Sequence, residues 1–168
     1  TVLAAMQVAR DAGTRVALDT NLRLSLWPLQ QARACLEEAM TCCDLLLPSA
    51  EDMTQLTGLT QPEAIVDWCH HHGVSGVVLK LGAQGALIST GSERLRVPGW
   101  PVNAVDATGA GDCFCGNLLA RLVQGETLAQ ATRWANAAAA LSVQGIGAIA
   151  PLPHADQVRA LLASTPNT

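Results

Sequence analysis

The stretch Val102-Asn-Ala-Val-Asp-Ala-Thr-Gly-Ala-Gly-Asp-Cys-Phe-Cys-Gly116 decides how the rest of the chain is read. A short β-type run over residues 102–105 stops at Asp106, and two glycines, Gly109 and Gly111, flank Ala110. Asp112 then arrives as apolar residues begin to recur at helical spacing: Phe114, Leu118, Leu119 and Leu122. This is a helix start with an acid on it. The first turn of a helix leaves backbone N–H groups unpaired and carries a partial positive charge, so the turn through Gly109, Ala110 and Gly111 can wrap an anion such as phosphate.

A carboxylate beside a bound phosphate serves proton removal. A hydroxyl that attacks a phosphoryl group needs a base within hydrogen-bond reach, and an ordinary aspartate is ionised at neutral pH. Asp112 fits that role. The same letters also read as an N-cap, Asp112, over a tight glycine turn. A dinucleotide fingerprint does not fit, because the third glycine of Gly-x-Gly-x-x-Gly would fall on Phe114. The acid expected about twenty residues further on would be Glu126, which follows Gly125 between two helices.

Outward from this stretch, helical and extended patterns alternate. Helices are expected over residues 1–12 (stopped by Gly13), 29–40, 51–56 (stopped by Gly58), 61–72, 111–123, 128–143 and 155–163. Strands are expected over 14–19, 44–47 and 74–81, and a hairpin of 85–90 with 93–97 around Gly91. The alternation predicts an α/β fold, a mostly parallel sheet flanked by helices, with ligands gathered beyond the strand ends. No repeat, low-complexity tract or linker interrupts the 168 residues, which suit one cored domain.

Composition excludes several functions. A net charge of −4, with nine arginines and the single lysine Lys80, leaves no basic stripe for a nucleic acid. The uncharged run 134–153 is broken by Asn136, Gln144, Gly145, Gly147 and Pro151, and reads as a buried helix with an exit loop, not a membrane span. The six cysteines, Cys35, Cys42, Cys43, Cys69, Cys113 and Cys115, sit in or beside apolar segments, which suits a reduced cytoplasm. Cys69 with His70, His71 and His72 does not read as a metal cluster, since consecutive helical positions diverge.

Three other stretches carry chemistry-bearing residues. Asp19-Thr-Asn-Leu-Arg-Leu-Ser-Leu-Trp27 places Asn21 and Arg23 two residues apart at a strand's carboxy end, so both face one side. Arg23 offers a planar fork for a carboxylate or phosphate, or is a surface arginine over Trp27. Leu47-Pro-Ser-Ala-Glu-Asp52 ends a strand and starts a helix, with Ser49 a candidate N-cap. Val77-Val-Leu-Lys-Leu-Gly-Ala-Gln-Gly85 sets Lys80 at the end of an apolar strand before a glycine turn. A cation costly to bury has an anion to meet, unless the turn leaves it in solvent.

The run Asp106-Ala-Thr-Gly-Ala-Gly-Asp-Cys-Phe114 resembles the signature of the ribokinase-like (PfkB-type) carbohydrate kinases. The segment 19–27 is most like that of the 2-keto-3-deoxygluconate kinases within them. The resemblance covers nearly all of this chain but only the carboxy-terminal half or so of such a kinase, without its amino-terminal strands, sugar-site glycines and β-lid. It implies transfer of phosphate from ATP to a sugar-acid hydroxyl, with Asp112 as base and Gly109, Ala110 and Gly111 as anion hole. It further implies that Asn21 and Arg23 lie at the substrate and nucleotide site, with Arg23 meeting the substrate carboxylate. Lys80, Gly82 and Gly85 would lie along the nucleotide phosphates, and Asn136 near the adenine.

Metal roles also follow from the resemblance. Asp52 would help position magnesium through water, although Ser49 and Asp52 stand where the family has asparagine and glutamate, and Glu51 is a rival. Asp106 and Thr108, with carbonyls around Ser142, Gly145 and Gly147, match where members hold a monovalent cation such as K+. Because members pair through their lids, a homo-oligomer is expected of the full-length parent. The alternatives are another kinase of the family, a fructokinase, ribokinase or nucleoside kinase, or a non-catalytic nucleotide-binding module on the same fold.

Overall fold

A computed structural model describes residues 1–164 of the chain. In order these form α1 (Val2–Asp11), β1 (Ala17–Leu18), α2 (Leu29–Met40), β2 (Leu45–Leu46), α3 (Ala50–Thr57), α4 (Pro62–His71) and β3 (Gly76–Lys80). A single 3-10 turn (Gly82–Gln84) precedes β4 (Ala86–Thr90) and β5 (Arg94–Val97), and α5 (Ala110–Val123), α6 (Leu128–Ser142) and α7 (Ala155–Ser164) follow. The fold is α/β, a mixed, mostly parallel sheet flanked by helices. Its strands run β1-β2-β3-β4-β5, with β1 parallel to β2 and β2 parallel to β3.

Local chemistry sets most element ends. Ser49 caps α3 by accepting from the Asp52 amide, and Gly58 ends that helix with φ +77°, a left-handed conformation that glycine adopts without a Cβ clash. Pro62 opens α4 where no amide partner is needed. Thr127 and Gln130 form a reciprocal capping box at the start of α6.

Two elements differ from expectation. The strand over 14–19 shrinks to Ala17–Leu18, because the Asp44 carboxylate takes the Val16 amide at 2.7 Å in place of a strand neighbour. Residues 102–105 form no strand. The amides of Val105 and Asp106 instead both donate to the Val143 carbonyl, at 2.7 and 3.1 Å, satisfying an otherwise orphaned acceptor at the end of α6.

The chain divides into two compact units. Among the described residues one comprises Thr1–Leu81 with Leu87–Leu95, the other Gly82–Ala86 with residues 96–164. In the first, Gly76, Val77, Val78 and Leu79 of β3 are all buried, as befits a strand covered on both faces, and Ile65, Val66 and Cys69 of α4 join the same core. Fully burying a side chain of this size contributes about 1.5–3 kcal/mol. In the second unit α5 packs along α6, and Cys113, Trp134, Ala137, Ala138 and Val158 share a core. Residues 134–138 of α6 are buried on every side, and the loop after the helix exposes Ile146 and Ile149. Among the described residues no helix is long and apolar enough to cross a membrane.

The three histidines after Cys69 point to separate backbone carbonyls: His70 to Val74, His71 to Asp67 and His72 to Trp68. His70 also meets the buried Ser89 hydroxyl at 2.8 Å. All six cysteines are free thiols.

Candidate functional site

In the second unit the site begins at Asp106. Its Oδ1 accepts from the amide and hydroxyl of Thr108, at 2.9 and 2.7 Å, and its Oδ2 accepts from the amide of Gly147 at 2.9 Å. The Thr108 hydroxyl, followed by the Gly147 and Thr108 amides, holds this carboxyl below the usual aspartate range. The loop before α5 is thereby tied to the loop after α6.

Gly109 follows with φ +76° and starts α5 with no side-chain cap. A Cβ there would sit 2.9 Å from the Cβ of Ala148, so glycine lets the turn close against that loop. Ala110 bonds back to Ala107, but the amides of Gly109, Gly111 and Asp112 have no acceptor among the described residues. Asp112 is the third residue of the helix and not its cap, which is Gly109. Its carboxylate is exposed and has no partner among the described residues. Three unpaired amides at a helix start, with an acid at their edge, can take an anion and accept a proton beside it.

The same unit holds the other glycine turn. The Gly85 amide closes on the Gly82 carbonyl at 3.0 Å, and Gly85 has φ +93°. At the end of β5, the buried Asn136 donates its amide hydrogens to the carbonyls of Val97 and Pro98, at 3.1 and 3.2 Å. Asn136 thus fastens the segment against which Gly85 packs.

In the first unit, Lys80 ends β3 and its Nζ lies 2.7 Å from Oδ2 of Asp19, just past β1. The mostly buried Lys80 thus meets an anion within the chain, Asp19, which had no assigned role in the sequence. Asn21 and Arg23 are both exposed and Thr20 and Leu22 are buried, although the segment is no strand and Asn21 has φ +37°. Arg23 donates one bond to the Leu22 carbonyl at 2.8 Å, and Asp52 faces this segment from α3. Glu51 is exposed on the same helix. No three acidic, histidine or cysteine groups cluster as a metal cage among the described residues.

A glycine turn opening a helix, with free amides and an adjacent acid, is an arrangement suited to a phosphate-like anion, and it stands in an α/β protein. Within that fold class, the chain belongs to the family described as pfkB family carbohydrate kinase, whose model matches residues 1–155.

Relatives within this family differ in substrate. The chain is 35% identical to a probable fructokinase-7 of Arabidopsis thaliana, over 98% of this chain and 51% of that protein. It is 32% identical to a 2-dehydro-3-deoxygluconokinase of Bacillus subtilis (strain 168), over 95% of this chain and 50% of that one. A crystal structure of aminoimidazole riboside kinase from Salmonella enterica, complexed with aminoimidazole riboside and an ATP analog, matches with a TM-score of 0.90 and 31% identity. That match covers 97% of this chain and 57% of that one. The chain spans about half the length of the relatives it matches.

Proposed function

We propose that this chain supplies the nucleotide and catalytic-base part of a kinase that transfers phosphate from ATP to a sugar-acid hydroxyl, of the 2-dehydro-3-deoxygluconokinase type. One observation carries the reading: the unpaired amides of Gly109, Gly111 and Asp112 stand at a helix start beside the exposed, unpartnered carboxylate of Asp112. Asp112 accepts the proton of the attacking hydroxyl as its oxygen bonds to the γ-phosphorus, and the bond to the β-phosphate oxygen breaks to release ADP. The amides hold the charge that develops on the transferred group.

Arg23 meets the substrate carboxylate, with Asn21 beside the nucleotide. Lys80, Gly82 and Gly85 follow the phosphates, and Asn136 fastens the neighbourhood of the adenine. Asp52 would help hold magnesium through water, and that ion when bound would supply positive charge to the phosphates. Three of the roughly four lone-pair positions of Asp106 accept protein hydrogen bonds, which leaves one for a K+ ion shared with Thr108.

The test is Asp112→Asn in the whole protein. Turnover of the sugar acid falls about 10²–10⁴-fold, the range for loss of a general base, while calorimetry finds magnesium-ATP bound as before. Undiminished turnover ends the base assignment, and a wild-type protein that binds nucleotide without transferring phosphate is a binding module instead.

A second reading is supported by the 35% identity to the probable fructokinase. Turnover compared across 2-keto-3-deoxygluconate, fructose and aminoimidazole riboside separates the two. Preference for an uncharged acceptor removes the carboxylate role of Arg23.

A further inference from the structure

Two hydrogen bonds from the segment that carries Asn21 and Arg23 converge on a single oxygen, while the Leu22 side chain packs in the core. Oδ2 of Asp52 accepts both the Thr20 hydroxyl at 2.9 Å and the Leu22 amide at 3.2 Å. Thr20 and Leu22 are 6% and 5% exposed, so these bonds form largely out of water, where a charged acceptor is most effective. Between the two anchored residues lies Asn21, with φ +37°, the only non-glycine residue of positive φ among those described. Such a backbone persists where its surroundings over-determine it, and here Asp52 supplies a polar fixing on either side, beside the burial of Leu22.

Asp52 is itself well placed to hold them. It is the third residue of α3, its amide bonds to the Ser49 hydroxyl at 3.0 Å, and a carboxylate is favoured in the first turn of a helix. The segment it grips begins just after β1, 32 residues earlier in the chain.

We infer that Asp52 is a positioning residue, a latch that sets the outward aim of Asn21 and Arg23 by holding Thr20 and Leu22. The role is separate from any part in holding magnesium, because it occupies Oδ2 alone and needs no metal. It rests on the kinase reading in one respect, that Asn21 and Arg23 meet ligand.

Thr20→Val separates the two roles, since it keeps the shape of residue 20 and the whole Asp52 carboxylate while deleting one bond. In the whole protein, amide hydrogen exchange at Leu22 quickens roughly tenfold in Thr20→Val and further in Asp52→Ala, the scale of losing hydrogen bonds to a charged acceptor. Asp52→Asn retains an acceptor oxygen and restores much of the protection. The KM of Thr20→Val for 2-keto-3-deoxygluconate rises roughly five- to tenfold, with kcat within about twofold and the magnesium requirement unchanged.

Unaltered exchange at Leu22 in both Thr20→Val and Asp52→Ala overturns the latch, whatever the enzyme does. Faster exchange with an unchanged KM overturns its positioning role. Faster exchange in a protein whose wild type neither binds nor phosphorylates the sugar acid upholds the latch and overturns the kinase reading instead.

Discussion

Lys80 and Asp19 lie 61 residues apart in the chain and 2.7 Å apart in space, joining the ends of β3 and β1 across β2. Both side chains are mostly buried, with 13% and 25% of their surfaces exposed. Removing one member of such a pair leaves the other's charge in a poorly hydrated place. Lys80→Met and Asp19→Asn are each expected to lower unfolding free energy by about 2 kcal/mol, discounted from a fully buried pair for the remaining exposure. In denaturant titrations the double variant recovers part of that loss. Strictly additive losses would show that the pair is not coupled.

Asp106 gives a pH dependence with a definite sign. Its carboxyl titrates below its ordinary value of 3.8 in the folded protein, chiefly because the Thr108 hydroxyl and the Gly147 amide bond to the charged form. Its stabilising effect is therefore whole above about pH 4 and is lost as pH falls through the folded value. Between pH 6 and pH 3 the midpoint of thermal unfolding falls more in the wild type than in Asp106→Asn. Parallel curves for the two proteins would refute the assignment.

Thiol reactivity sorts by burial. Desolvation pushes Cys43 up to about 11 and Cys69 up to about 12, so almost no thiolate exists at either near pH 8. Cys35 is exposed on α2. A short treatment of the native protein with iodoacetamide at pH 8 followed by peptide mapping is expected to find Cys35 alkylated, and Cys43 and Cys69 intact until denaturant is added.

How much of this could be read from the letters depends on the reach of each interaction. Helix boundaries at Pro62, Gly58 and Thr127 are set by residues within one turn, and the helices expected over 51–56, 61–72 and 128–143 end within a residue of α3, α4 and α6. The glycine turn proposed to bind an anion was equally local: Gly109, Gly111 and Asp112 are neighbours, and their amides have no acceptor among the described residues. The shortening of β1 was not legible, because it depends on a carboxylate 28 residues away, Asp44, bonding to Val16. Nor was the loss of the strand over 102–105, which depends on the last carbonyls of α6 lacking partners. The burial cost of Lys80 announced that an anion was needed without saying which, and nothing in a single sequence paired Thr20 with Asp52.

The two glycines of the Lys80-Leu-Gly-Ala-Gln-Gly85 turn make a last prediction, because the same substitution meets different surroundings at each. Gly82 has φ +59° with nothing within 4 Å of where a Cβ would stand, so Gly82→Ala carries only the left-handed backbone penalty, about 1 kcal/mol. Gly85 has φ +93°, and its Cβ would lie 2.2 Å from the Val97 carbonyl oxygen and 2.4 Å from the Gly99 amide nitrogen. Both are backbone atoms, and the Val97 carbonyl is further held by Asn136, so the clash cannot be relieved by turning a side chain. Gly85→Ala is expected to cost at least about 3 kcal/mol, from strain and overpacking together, or to rebuild the turn. Urea midpoints for the two variants measure the difference. Equal costs would mean that the segment after β5 does not press on Gly85, and Asn136 would then lose its role of fastening it.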